Sequence, residues 1–137
     1  MSRVRTRTLA LLTLVSFVSG CGGQGEPGPI DRKAVTTAFS RIGEPLTIRL
    51  DLQAADPDFT ASSVDVIYVP ASADVPAAPF EVALFDDEDA ARERALWMEA
   101  VSGGTLDIVR RKNAIMTLRP SVSARQRDKL IATLESL

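Results

Sequence analysis

The chain has 137 residues, 45% of them apolar and 25% charged, with a formal net charge of −2. That is the size of one folded domain, and the composition is neither disordered nor strongly basic. With no histidine and a single cysteine, it excludes a Ser-His-Asp triad, a Cys-His pair, HExxH zinc chemistry, an internal disulfide and a thiolate zinc cluster.

The chain opens with Arg3, Arg5 and Arg7 and no acid through Thr8, and then runs almost wholly apolar from Leu9 to Val18. Ten helical residues reach about 15 Å, half a bilayer's hydrocarbon core, which is too short for a permanent span. A basic start, a short apolar run and small residues after it describe a secretory signal peptide over residues 1–20. At the end of the run, Val18-Ser19-Gly20-Cys21 matches every position of the bacterial lipoprotein lipobox, which it resembles. That resemblance implies cleavage between Gly20 and Cys21, a diacylglyceryl group on the Cys21 sulfur and acylation of the new amino terminus. The product would be anchored to the cell membrane by lipid and face away from the cytoplasm. Two acyl chains suffice for stable anchoring where one is marginal. Loss of three arginines with the signal takes the formal charge from −2 to −5, which disfavours nucleic acid as a partner.

Residues 21–29 comprise Cys21 and a Gly- and Pro-rich tether, GGQGEPGP, which holds the rest of the chain within roughly 15 to 25 Å of the bilayer. A single domain is expected over residues 30–137. Val35, Phe39 and Ile42 recur at helical spacing, so Asp31 to Ile42 reads as a helix capped by Asp31 and stopped at Gly43. Leu46, Ile48, Leu50 and Leu52 alternate with polar residues, the pattern of a strand with one buried face. Asp56-Pro57-Asp58 is a turn, and Val64 to Val69 and Phe80 to Phe85 are further strands. A helix is expected over Asp86 to Val101, with Asp86 at its N-cap, Asp89 at N3 and Gly103-Gly104 ending it. Leu106 to Arg110 and Ala114 to Leu118 form a hairpin about a basic turn at Arg111-Lys112-Asn113. Ser123 and Gln126 open the last helix as a capping box, and Leu130, Ile131, Leu134 and Leu137 give it an apolar face.

The order α-β-β-β-α-β-β-α predicts an α+β fold, an antiparallel sheet of about five strands with helices packed on one face. The pattern also resembles a group of small lipoproteins of high-GC Gram-positive bacteria that has no assigned function. The likeness rests on the lipobox and on the blocks FEVALFDDEDAARERALWMEAV and NAIMTLRPSVSARQ. It implies a cell-envelope lipoprotein and carries over no active-site residue.

Within the domain, Asp86-Asp87-Glu88-Asp89 has the charge for a divalent cation, but contiguous acids lacking a glycine turn suit helix capping better. Arg94 falls near the middle of the apolar face formed by Ala90, Ala91, Ala95, Trp97, Met98 and Val101. Its stem can snorkel past the edge, its guanidinium can pair with a carboxylate, or it can line an anion site. Arg110, Arg111 and Lys112 are the core of a basic C-terminal region that could touch an anionic surface. Trp97, Tyr68 and Phe85 could line an apolar pocket. No catalytic residue, metal ligand or cofactor beyond the lipid on Cys21 is expected. The leading expectation is a non-enzymatic interaction domain that engages an envelope protein or wall component. An apolar-ligand or lipid carrier is the alternative, and a carboxylate-based hydrolase of wall material comes third.

Overall fold

The computed structural model describes residues 28–50, 64–74 and 77–137. The signal segment, the Gly20/Cys21 junction and the Asp56-Pro57-Asp58 turn lie outside the described residues. Among the described residues, three helices and five strands occur in the expected order: α1 (Arg32–Arg41), β1 (Leu46–Leu50), β2 (Val64–Pro70), β3 (Phe80–Phe85), α2 (Glu88–Ser102), β4 (Asp107–Arg111), β5 (Ala114–Leu118) and α3 (Ala124–Glu135). The strands form one antiparallel sheet in the order β1-β2-β3-β5-β4.

Local chemistry sets the element ends. The Asp31 carboxylate accepts from the Ala34 amide at 2.7 Å and starts α1. The N-cap of α2 is Asp87 rather than Asp86, and it accepts from the Ala90 amide at 2.8 Å. Either aspartate satisfies the sequence rule, and Asp87 is the one whose carboxylate reaches the free amide of the first turn. At its far end α2 stops on Gly103, whose φ of +57° lies in the left-handed region that favours glycine. The β4–β5 turn is two residues, Lys112-Asn113, because Arg111 pairs with Ala114. Ser123 accepts from the Gln126 amide at 3.3 Å as a cap should. The Gln126 side chain does not close the box; it donates to Glu44 Oε1 at 3.0 Å and ties α3 to the loop after α1.

The sheet is covered on both faces, where a single covered face was expected. Val66, Tyr68, Phe80, Val82, Leu84, Ala114, Met116 and Leu118 meet Val35 and Phe39 of α1 and Leu130 and Leu134 of α3. The Phe39 and Phe80 rings stack with centroids 6.0 Å apart. Alternate residues of β3 and β5, Ala83, Phe85 and Ile115, point the other way with Ile108 of β4 and pack with Ala91, Ala95 and Met98 of α2. The physical reason is visible in β5, where all five residues are buried, a pattern that a one-sided sheet does not produce. Each fully buried large apolar side chain contributes about 1.5 to 3 kcal/mol, and most of these lie on the α1/α3 side.

One buried polar side chain joins the start of the domain to its centre. Asn113, 4% exposed, accepts from the Ile30 amide at 2.7 Å and donates to the Ile30 carbonyl at 3.1 Å and the Phe85 carbonyl at 2.9 Å. Its own carbonyl accepts from the Phe85 amide at 2.8 Å. The chain therefore enters the fold beside the end of β3 and the N-terminus of α2. There Gly28, Pro29, Asp86, Asp87, Glu88, Lys112 and Asn113 line an open hollow of about 270 Å³.

Candidate functional site

The outer side of α2 carries the features least explained by folding. Ala91 and Ala95 face the sheet because small side chains let the helix sit close to Phe85 and Ile115. Met98 reaches the sheet, but the other large apolar residues of the helix are left outside: Leu96 is 62% exposed, Trp97 53% and Val101 60%. Ala100 is exposed beside them. At helical spacing Leu96 lies next to Ala100, and Trp97 next to both Ala100 and Val101, so the four form one patch on the C-terminal half of the helix. Exposed large apolar residues are ordinary singly and informative when contiguous.

Arg94 borders this patch. Its guanidinium carbon sits 4.2 Å from the Trp97 ring centroid, a stacked cation–π arrangement. Partial burial pulls its pKa below the usual arginine value, leaving it charged at any ordinary pH. The guanidinium lies over the half-exposed Trp97 ring, where a stem that snorkels along the helix can place it.

The three aromatic residues suggested for an apolar pocket are not brought together. Tyr68 is buried on the α1/α3 side, Phe85 on the α2 side, and Trp97 faces outward. Burial raises the Tyr68 pKa, as befits a phenol held inside a core.

Arg110, Arg111 and Lys112 do not form one basic patch either. Neighbouring strand residues point to opposite faces. Arg110 donates to Glu88 Oε1 at 3.3 Å and the Lys112 carbonyl at 3.4 Å. Arg111 turns to the other face, where its Nε is buried without a hydrogen-bond partner. Lys112, at φ +50° in the turn, donates from Nζ to the Leu137 carbonyl at 2.9 Å.

The acid run is likewise dispersed. Asp87 caps α2, Glu88 meets Arg110, and Asp89 pairs with Arg92 one turn on. Among the described residues no three potential metal ligands converge, and no helix is long and apolar enough to cross a membrane.

A second depression, about 380 Å³, lies where β1, β3 and β5 meet the loops after α2 and β5, and Arg49, Glu81, Thr105, Thr117 and Arg119 line it. Arg49 and Glu81 pair across it at 2.7 Å. Sequence reasoning missed the bonding of Asn113 and the outward turn of Trp97. No local pattern marks Asn113, whose Ile30 partner is 83 residues away. The expected apolar face of α2 already held Ala91 and Ala95, the residues able to approach a sheet closely, and erred in adding Trp97 and Val101 to them.

No protein family, curated protein or solved structure matches the chain.

Proposed function

We propose that this is a cell-envelope lipoprotein, anchored through a diacylglyceryl group on Cys21, whose α+β domain is a non-enzymatic interaction module. The observation that carries the reading is the lipobox Val18-Ser19-Gly20-Cys21 closing an arginine-flanked apolar run. Four features agree independently: the basic start, the length of the run, the small residues and the position of the only cysteine. The short tether then keeps the domain at the bilayer surface outside the cytoplasm. An exposed patch of Leu96, Trp97 and Val101 beside Arg94 supports the interaction role. Tryptophan and arginine are among the residues most enriched where binding energy concentrates.

Mass spectrometry of the chain made in a lipoprotein-processing bacterium tests the anchor. The expected product begins at Cys21 and carries the added lipid, and Cys21→Ala moves the protein from the membrane to the soluble fraction. An unmodified thiol with residues 1–20 still attached refutes the reading.

A further inference from the structure

We infer that the α2 patch docks on the lipid surface that holds the anchor, so that the domain lies against the bilayer instead of standing off from it. The inference rests on the anchor reading and adds the occupant of the patch. The first argument is reach. Gly28 is seven positions on from Cys21, so the anchored sulfur lies at most about 25 Å from the domain. Gly28 and Pro29 lie beside Asp87 and Glu88, at the start of α2. The patch runs from Leu96 to Val101 on a helix that begins at Glu88, which puts it about 12 to 20 Å along the axis. A tether of this length can bring the helix down on the surface into which its own lipid inserts. Tethering also raises the local concentration, so a contact too weak to bind on its own becomes populated.

The second argument is chemistry. Tryptophan places an apolar ring and a polar N–H at the boundary between headgroups and acyl chains. Arg94, stacked on that ring, brings a cation to phosphate depth on an apolar stem. The exposed neighbours include Glu93, one turn before both Leu96 and Trp97, and Glu99, so apolar insertion rather than attraction to anionic lipid drives the contact.

Trp97 is the only tryptophan in the chain, and its emission therefore reports the patch alone. The experiment compares the lipidated chain in phosphatidylcholine vesicles with the Cys21→Ala chain in buffer. The docked domain shows a blue-shifted emission and quenching by phosphatidylcholine brominated on its acyl chains. Leu96→Ser combined with Val101→Ser removes most of that quenching while the protein still floats with the vesicles and keeps its melting temperature. A lipidated chain that floats, with emission like that in buffer and no quenching, overturns the docking and leaves the anchor intact. A blue shift without quenching, together with a crosslinked dimer, overturns it in favour of a second copy on the patch. A chain that stays with the buffer and carries a bare thiol sinks the anchor reading and the docking with it.

Discussion

Replacing Asn113 by alanine strikes a buried polar side chain that makes three hydrogen bonds. The substitution deletes three hydrogen bonds and strands the Ile30 amide, the Ile30 carbonyl and one bond of the Phe85 carbonyl. Ile30 and Phe85 are 6% and 3% exposed, so water reaches these groups poorly. A bond of this kind contributes about 1 kcal/mol net, and more where its partner is left buried without a substitute. The expected loss is about 3 kcal/mol, a large share of a small domain's stability. For a domain of this size that is a drop in melting temperature of roughly 12 to 24 °C. Thermal and urea melts of the domain measure it directly, and the Ile30 amide should lose its protection from hydrogen exchange. Asn113→Asp is the informative companion. It keeps the acceptor for the Ile30 amide but turns a carboxylate oxygen toward two carbonyls. Those carbonyls disfavour the charged form and raise the pKa of the new acid in the folded state. Its deficit therefore shrinks as the pH falls through that raised value, because the protonated acid regains one donor. An Asn113→Ala domain that melts within about 2 °C (about 0.5 kcal/mol or less) of the parent refutes the account.

Other consequences are smaller. Arg94→Met removes the cation–π contact with Trp97, which contributes about 0.5 to 1 kcal/mol, while the methionine covers similar apolar area; a loss above about 3 kcal/mol by urea denaturation would point to an obligatory buried pair. Gly103→Ala should cost about 1 to 2 kcal/mol through backbone strain alone, because no heavy atom lies within 4 Å of the added carbon, and Gly103→Asn should cost less; equal melting temperatures for the parent and both variants would contradict this. A hydrogen bond from Arg32 is the main cause holding Asp65 below its ordinary pKa, and burial opposes it. A lowered carboxylate contributes stability that is present above about pH 4 and is lost as the pH falls through the folded-state value. The pair is largely exposed, so the contribution stays under about 1 kcal/mol. NMR titration should show Asp65 moving up toward the ordinary value in Arg32→Met, and an unmoved midpoint would contradict the assignment.

Much of the architecture was legible because burial imposes a period. Val35 and Phe39 mark the buried side of α1, and Leu130 and Leu134 that of α3. The alternation in VDVIYV and FEVALF gives strands with the observed limits to within a residue. What escaped was the side of the sheet that each helix takes. The face expected for α2 joined Ala90, Ala91, Ala95 and Met98 to Trp97 and Val101; close approach to Ile115 and Phe85 keeps the first four on the sheet and leaves Trp97 and Val101 outside. Periodicity counts hydrophobicity, whereas packing selects for fit. The basic run failed for a related reason: Arg110 and Arg111 are neighbours in sequence and occupy opposite faces of β4. Asn113 read as a turn residue, which it is, and nothing nearby foretold its bonds to Ile30. The lipobox lies outside the described residues, so its reading still rests on the sequence.

The tie between Ile30 and Asn113 also decides where mechanical load enters the domain. A pull applied to the chain ahead of Gly28 meets these bonds before it reaches α1. The strain passes straight into β3 and β5, the best-covered strands, so the first helix is not peeled from the end. The domain is moored by its keel, and a tug that would fray a loosely attached terminus is shared by the middle of the sheet.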